Sequence, residues 1–351
     1  MLTPTFKLEY NNKNITKDVS DYVVSIDYTD YEHGQSDEIS ITFEDSEGLW
    51  NGAWIPSKGD ALRLFIGYVG EKMLNCGIFE IDEIEYETPP DTLTVKAIAT
   101  GIKKAFRQAN SVGYENKTLQ QIANEVAKRH ELNLVGNIEN IKVERVTQNQ
   151  EHDLTFLKRL AEQYGYIFKI AEDNLVFYKT EKLINAESAQ IIYKSEVTNA
   201  RFVEKTSHVY KSVSVAYRNP KTGKDVTATA KNEKCVKGDT LKLSVRAENK
   251  QQALIMAKSA LQKGNYTIEG SMSMMGNPYL IAGLNVETKD FGYFSGKYHI
   301  TEAHHRIDKM MGYSTSLGNF LFEHYPHALH SQVLNPNRIE PKVRLRLNIL
   351  S

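Results

Sequence analysis

The chain has 351 residues, of which 41% are hydrophobic and 10% aromatic, so it has room for roughly two or three folded domains and is too apolar to be disordered. Its 43 Lys and Arg residues nearly balance 44 Asp and Glu residues, which excludes the global basic field of a nucleic-acid binder. Cys76 and Cys235 are too few and too far apart for a disulfide framework or a zinc site, and they suit a reducing cytosol.

The N-terminal segment has no basic stretch followed by an apolar one, so we expect no secretory signal. No segment approaches the ~18 uninterrupted apolar residues that a membrane-spanning helix needs. We therefore expect a soluble chain, made in the cytosol, that inserts into no membrane.

Residues 1–103 are predicted to form a small β-barrel or sandwich, because apolar residues alternate with polar ones in about six short runs separated by turn-forming segments. In the run "GIFEIDEIEYE", Phe79 and Ile81 share one parity, whereas Ile84 and Tyr86 share the other. Such a switch of the apolar face within one strand predicts a β-bulge.

The same run contains Glu80 and Asp82, which suggest a pair of glycosidase carboxylates. Both alternate with apolar residues, and that pattern is more typical of a solvated strand face.

Residues 104–200 are predicted to form a small α/β insert with two amphipathic helices and a hairpin. The first helix follows Thr118, a good N-cap, and places apolar residues of "LQQIANEVAKRHEL" on one face. His130 ends this helix, where a cation is favoured. The hairpin is predicted to turn at 172–174.

The second helix begins at His152–Asp153, which could be two members of a catalytic relay or the polar start of a helix. Asp153 and Glu151 are expected to accept hydrogen bonds from the first helical amides, and Gly165 is expected to end the helix. No GxSxG segment or reactive Cys accompanies the pair, so the helix start is favoured. The motif of the insert is then Asp153, Gly165 and the apolar positions Leu154, Phe156, Leu157, Leu160 and Ala161.

Residues 201–325 are predicted to form a second β-domain with one helix. That helix starts at Asn249 and Gln252, which resemble a capping box, and Gly264 can end it. Strands are expected around 279–288, 297–306 and 313–322. The order β, α/β, β suggests a duplication, but no internal sequence repeat supports one.

The segment "AHHRID" places His304 and His305 side by side in a predicted strand. Adjacent strand residues point to opposite faces, so the two imidazoles cannot bind one metal ion. We expect no metal site, no cofactor and no catalytic residue in this chain.

Residues 326–351 are predicted to be an extended tail. Within it, Val343, Leu345, Leu347 and Ile349 alternate with Arg344, Arg346 and Asn348, which is a strand pattern. The strand either pairs within the second β-domain or adds to the sheet of another subunit. The candidate partner-docking residues are Val343, Arg344, Leu345, Arg346 and Leu347.

Several segments resemble one family in order and spacing across residues 4–322. They are "NNKNITKDVSDYVVSIDYTD…QSDEISITFEDSEG", "PSKGDALRLFIGY", "TLQQIANEVAKRHEL", "QNQEHDLTFLKRLAEQYGYIFKI…NLVFYK" and "NPYLIAGLNVE…GYFSGKYHITEAHHRIDKMMGYSTSL". The chain is similar to the bacteriophage late control D family of contractile-tail hub proteins, which is related to the N-terminal part of type VI secretion spike proteins. His152 departs from the Ser-type cap expected there.

The resemblance implies an α+β, mainly β fold with two tube-type β-barrel domains separated by the insert, and a homotrimer whose six barrels form a ring. Such a ring matches a sixfold tail tube on one side and a threefold spike on the other, and its closed symmetry obeys the rules for oligomers. The implied partners are further copies of the chain, the tail tube protein, the central spike, baseplate wedge proteins and the tape-measure protein, with no sequence-specific nucleic acid.

The resemblance also implies a place in the virion tail baseplate after assembly in the host bacterial cytoplasm. Glu80 and Asp82 are candidates for a negatively charged lumen along which DNA slides. Two alternatives stay open: the hub of a tailocin or type VI-like injection device, and a tail-associated cell-wall hydrolase.

Overall fold

The computed structural model describes residues 2–99, 108–171, 173–205, 210–218, 222–233, 238–264 and 268–322. Strands dominate and helices are the minor element, so the predicted α+β, mainly β class is confirmed. The predicted tail and Cys235 lie outside the described residues.

The N-terminal part of the described chain is almost entirely β, as the alternating runs predict. Its elements are β1 (Pro4–Tyr10), β2 (Lys13–Asn14), α1 (Thr16–Val19), β3 (Val23–Tyr31), β4 (Glu38–Glu44), β5 (Ala61–Tyr68), β6 (Leu74–Glu87) and β7 (Thr92–Ala99). The register of β6 on β7 shifts between Ile81 and Glu83, so the predicted bulge is confirmed, with Asp82 as the extra residue.

The middle part combines short sheets with two long helices. Its elements are β8 (Ala109–Thr118), α2 (Leu119–Arg129), β9 (Asn133–Gly136), β10 (Lys142–His152), α3 (Asp153–Tyr164), β11 (Tyr166–Ala171), β12 (Asn174–Lys179) and α4 (Thr180–Asn185). Thr118 caps α2 in a full capping box with Gln121, and β11 pairs antiparallel with β12, so the predicted cap and hairpin are confirmed.

The C-terminal part returns to strands, with one long helix. Its elements are β13 (Ser188–Tyr193), β14 (Val197–Glu204), β15 (Tyr210–Arg218), β16 (Asp225–Lys231), β17 (Asp239–Leu243), α5 (Lys250–Gly264), β18 (Ile268–Met275), β19 (Asn285–Lys289), β20 (Gly296–His299), β21 (Glu302–Asp308) and β22 (Gly312–Phe322). Asn249 accepts the backbone N–H of Gln252 at 2.8 Å, which gives half of the expected capping box.

The expectation of one strand over 297–306 is wrong. The chain breaks between β20 and β21: β20 pairs with β19 and, at one residue pair, with β22, whereas β21 pairs with β22 and with β3. The predicted strand over 279–288 begins only at Asn285, after a turn.

A single 14-stranded sheet runs through both β parts of the chain. The N-terminal and C-terminal parts meet where β21 pairs antiparallel with β3 over seven residue pairs, from Glu302↔Tyr31 to Asp308↔Ser25. We call this pairing the β3–β21 seam. The two β parts therefore share one sheet, although the insert separates them in the sequence. No closed barrel is found among the described strands, so the two tube-type barrels stay a prediction.

Three hydrophobic cores divide the described chain differently from the predicted boundaries. The N-terminal core is completed by Ile307 and Tyr313 from the C-terminal strands. The middle core takes in α5 and the sheet of β15, β16 and β17, so residues 210–261 pack with the insert across the predicted division at residue 200. A third core lies between β13, β14 and β18–β22.

Candidate functional site

The carboxylate of Asp153, at the first position of α3, is completely buried and lies at the centre of a polar network. It accepts two hydrogen bonds from Arg129 (2.8 and 2.9 Å) and one each from Gln148 (2.6 Å) and Asn110 (3.2 Å), and it contacts His130 Nε2 at 2.7 Å. These partners come from β8, from α2 and its C-cap residue, and from β10, so one carboxylate of α3 connects this helix with three other elements of the insert.

The electrostatics of this network favour the charged carboxylate. Burial by itself would raise the pKa of Asp153, but hydrogen bonds from His130 and Gln148 and the charge of Arg129 outweigh it and lower the pKa to about 2. A buried carboxylate with this many donors is typical of a structural ion pair, because its oxygens have no room to receive a proton from a substrate.

The expected role of Asp153 as a helix cap is wrong. The N-cap residue is His152, whose side chain makes no capping bond and is exposed, while Glu151 binds Arg159 at 2.8 Å instead of the helical amides. Asp153 points inward because Arg129 offers a charged donor, which binds a carboxylate more strongly than the helical amides do. Its histidine partner is His130, 23 residues upstream, and not its neighbour His152.

The apolar face of α3 is buried as the sequence indicates. Phe156, Leu157, Leu160 and Ala161 are each at most 1% exposed, whereas Leu154 is only partly buried at the edge of the core. Gly165 ends the helix with a left-handed φ of 77°, which a side chain would strain.

A second polar group joins all three parts of the chain. The ammonium of Lys169 in β11 binds Asp30 at the end of β3 and Asp37, the latter at 2.9 Å. Asp30 also accepts the backbone N–H of Ala282 at 2.9 Å, and Asp37 accepts that of Tyr31 at 2.9 Å. Burial raises the pKa of Asp37 to about 6, against the lowering charge of Lys169.

Two histidines lie next to the Asp30, Asp37 and Lys169 group and add further contacts between the three parts of the chain. His33 lies 3.5 Å from Glu162 of α3 and accepts the backbone N–H of Phe168 at 3.1 Å. His299 of β20 contacts Glu32 at 2.5 Å, which brings the C-terminal part to the end of β3. We call Asp30, Asp37, Lys169, Glu32, His33 and His299 the junction cluster; its charges fix the relative position of the three parts.

His304 and His305 lie on opposite faces of β21, as predicted. His304 is partly exposed and contacts Asp27 at 3.1 Å, whereas His305 is completely buried beside the Tyr313 hydroxyl (2.8 Å) and the Leu280 carbonyl (2.9 Å). Burial lowers the pKa of His305 to about 4, so it is neutral in the fold. Within the described residues, no group of three or more His, Cys, Asp and Glu side chains could hold a metal ion.

Glu80 and Asp82 are not brought together with these groups. Asp82 is exposed at the bulge of β6, and Glu80 is half-buried on the same strand. Val343, Arg344, Leu345, Arg346 and Leu347 lie outside the described residues. In the part of the chain that the structure describes, no helix has both the length and the apolarity to cross a membrane.

The profile of the phage tail baseplate hub (GPD) family matches residues 89–309, which include the Asp153 network, the insert and most of the C-terminal strands. The chain belongs to this family. The resemblance to phage tail hub proteins that the sequence indicates is thereby confirmed, and the match covers more than half of the chain.

Two curated relatives support this assignment. The chain is 29% identical over 192 residues to the probable baseplate hub protein of Escherichia phage 186 and 28% identical to that of Escherichia phage P2. Each match covers 54% of this chain and 49% of the relative, so the chain matches about half the length of these proteins.

Solved structures share the fold. A 43 kDa tail protein of prophage MuSo2 from Shewanella oneidensis superposes with a TM-score of 0.69 at 15% identity, over 92% of this chain and 98% of the other. A tail protein from Neisseria meningitidis MC58 superposes with a TM-score of 0.69 at 11% identity, over 91% of this chain and 96% of the other. An Escherichia coli component of the type VI secretion system superposes with a TM-score of 0.56 at 13% identity, over 86% of this chain and 74% of the other.

Proposed function

We propose that this chain is the structural hub of a contractile tail baseplate, where it works as a homotrimer. The family match over residues 89–309 carries this proposal. The seam adds to it, because a hub that transmits force needs its two β parts joined by backbone hydrogen bonds rather than by a flexible linker.

In this proposal the two β parts act as two tube-type barrel domains, so that three chains present six barrels to a sixfold tail tube and threefold symmetry to a central spike. The insert, with its buried Asp153 network, is a rigid support between them and binds baseplate wedge proteins. On contraction the trimer leaves with the spike and opens the path for DNA or the tape-measure protein.

The proposed lumen is lined by the acidic face of β6. Asp82 is exposed there, and the exposed Glu83 and Glu85 follow it, although Lys96 binds both of these at 2.9 Å. Glu80 and Asp82 then supply negative charge that repels a DNA backbone and lets it slide. The protein is accordingly placed in the virion tail, after assembly in the host cytoplasm.

We propose a structural and not a catalytic role, because the His–Asp pair of the insert is buried on both sides. Purified protein is incubated with peptidoglycan, together with His130→Gln, His152→Ala and His304→Ala variants. We expect no hydrolysis in any sample; hydrolysis that one variant abolishes would support the cell-wall hydrolase instead. The hub of a tailocin or type VI-like injection device stays the alternative, and capsid and terminase genes beside the coding sequence would separate a virion hub from it.

The deciding experiment is the mass of the purified chain in solution, with negative-stain imaging of the same sample. We expect a ring-shaped trimer. A stable monomer over the micromolar range, with no binding to a tail tube or spike protein, would overturn the proposal. Because Glu80 and Asp82 are proposed to face the lumen and not a subunit interface, a Glu80→Gln/Asp82→Asn variant is the matched control and should give the same mass.

A further inference from the structure

An apolar pocket opens at the end of the N-terminal β part that carries the loop between β4 and β5. It has a volume of about 420 Å³, and its walls come from Phe43 on one side and from Trp50, Trp54 and Ile55 of the loop on the other. Trp54 is 41% and Ile55 52% exposed, which is unusual for side chains of this size beside a pocket.

The loop wall is held in place before any ligand arrives. The buried Asp45 carboxylate accepts the backbone N–H groups of Trp50 (2.7 Å) and Asn51 (2.9 Å). Trp50 stacks on Phe43 with ring centroids 3.9 Å apart, and Trp54 packs edge-on against Trp50 at 5.6 Å. A preformed pocket lowers the ordering cost of binding.

The pocket contains a buried donor without an acceptor. Trp50 is 6% exposed, and its Nε1–H has no hydrogen-bond partner among the described residues. A buried donor left unpaired is unfavourable, so an occupant that brings an acceptor to this position gains affinity.

We propose that the C-terminal segment of this polypeptide, residues 343–349, occupies the pocket. The proposal goes beyond the proposed function: it names a surface of this chain for the docking tail that the sequence analysis predicts. The segment lies outside the described residues, but its sequence alternates Val343, Leu345, Leu347 and Ile349 with polar residues, so an extended backbone presents an apolar edge to the pocket.

Chemistry and reach both support this occupant. Its backbone carbonyls supply the acceptor that Trp50 lacks. Arg344 and Arg346 alternate with the apolar residues and so point away from the pocket floor in an extended segment, and the exposed carboxylate of Asp18 complements their positive charge without a direct contact. The described chain ends with β22 at Phe322, and the residues from there to Val343 can span up to ~70 Å when extended.

Trp50 and Trp54 are the two tryptophans of the chain, so intrinsic tryptophan emission reports on this pocket alone. The full-length protein is compared with a full-length Leu345→Ser/Leu347→Ser variant, and Leu334→Ser in the same tail is the matched control. We expect the double variant to emit at longer wavelength and to be quenched by acrylamide at least twofold more strongly, with the control unchanged.

The double variant is then titrated with a synthetic peptide of residues 338–351. Saturable recovery of the emission supports docking, and a peptide carrying the two serines should bind at least tenfold more weakly. Trp50→Phe in the same background should weaken the peptide about five- to tenfold, read from Trp54, because the indole donor is lost.

Equal emission of the wild type and the double variant, or equal response to both peptides, would overturn the inference. An emission that depends on protein concentration but not on the tail would assign the pocket to a second copy and overturn it too. The mass of each sample is measured in parallel. A trimer with unchanged emission contradicts this inference alone, whereas a monomer that responds to the peptide contradicts only the proposed trimer.

Discussion

Nη1 of Arg306 on β21 donates to both carboxylate oxygens of Asp27 on β3 at 2.9 Å, while Nη2 binds Asp308 at 3.0 Å, which places an ion pair across the β3–β21 seam. Burial by itself would raise the pKa of Asp27, but hydrogen bonds from His304 and Arg306 outweigh it and lower the pKa. The pair is partly exposed, so solvent screens it.

We expect Arg306→Ala to lower the free energy of unfolding by about 0.5–1 kcal/mol, because partly exposed ion pairs contribute at most about this much. A double-mutant cycle with Asp27→Ala, followed by urea denaturation, measures the coupling. The coupling should shrink in 1 M NaCl. A coupling below the error of the cycle would show that backbone pairing alone holds the seam.

Removing the Asp153 carboxylate should be far more damaging. We expect Asp153→Ala to lower the free energy of unfolding by about 3–5 kcal/mol, because Arg129 is left without its buried counter-charge. The exposed His152→Ala is the matched control one position earlier and should change stability by less than about 0.5 kcal/mol. Similar losses for the two variants would contradict a specific role of the carboxylate.

The same residue should make the insert sensitive to acid. Because the pKa of Asp153 is lowered to about 2 in the fold, its stabilising effect is complete above the pKa of about 4 of an unfolded aspartate. That stability is lost as the pH falls from about 4 towards 2. Unfolding free energies measured between pH 5 and pH 2 should fall more steeply for the wild type than for Asp153→Asn.

His305 should add a second, separate pH dependence. Its pKa lies near 4 in the fold and at 6.5 in an unfolded chain, so only the unfolded chain gains a proton between these values. The contribution of His305 to the free energy of unfolding is therefore complete above pH 6.5, and it decreases by about 3 kcal/mol as the pH falls to 4. Unfolding free energies of the wild type and of His305→Gln, measured across this pH range, isolate the effect, and His152→Gln is the control. Parallel pH profiles of the free energy for the wild type and His305→Gln would contradict it.

Gly276 faces the ring of Tyr313 too closely for any side chain. A Cβ there would lie 2.1 Å from the ring, and the Gly276 carbonyl also accepts the Tyr68 hydroxyl at 2.8 Å. We expect Gly276→Ala to cost about 1–3 kcal/mol or more, because the ring must move within a packed core. Gly113→Ala, with no heavy atom within 4 Å, should stay within about 0.5 kcal/mol of the wild type. Thermal unfolding of both variants checks this.

Local signals predicted local structure well. The capping box of Thr118, the left-handed end at Gly165 and the bulge at Asp82 each depend on a few neighbouring residues, and each is visible in the alternation or cap pattern. The break between β20 and β21 is not visible in the alternation of apolar residues, because β21 pairs with β3, a strand near the start of the chain.

The polar sites were harder to predict for the same reason. His130 and Asp153 are 23 residues apart, and Lys169 and Asp30 are 139 apart, so no spacing rule connects them. A completely buried aspartate at the first turn of a helix resembles an ordinary cap until its tertiary donors are known. One available signal was the pair Lys128 and Arg129 in the last turn of α2, two cations where one already suffices for the helix dipole.

The seam has a consequence for synthesis of the chain. Ile307 and Tyr313 complete the N-terminal core, so the first strands to leave the ribosome cannot bury their last apolar surface until almost the whole described chain has been translated. Fragments that stop before β21 should expose the open edge of β3 and aggregate. The N-terminal core is therefore complete only in molecules whose synthesis has also reached the C-terminal strands.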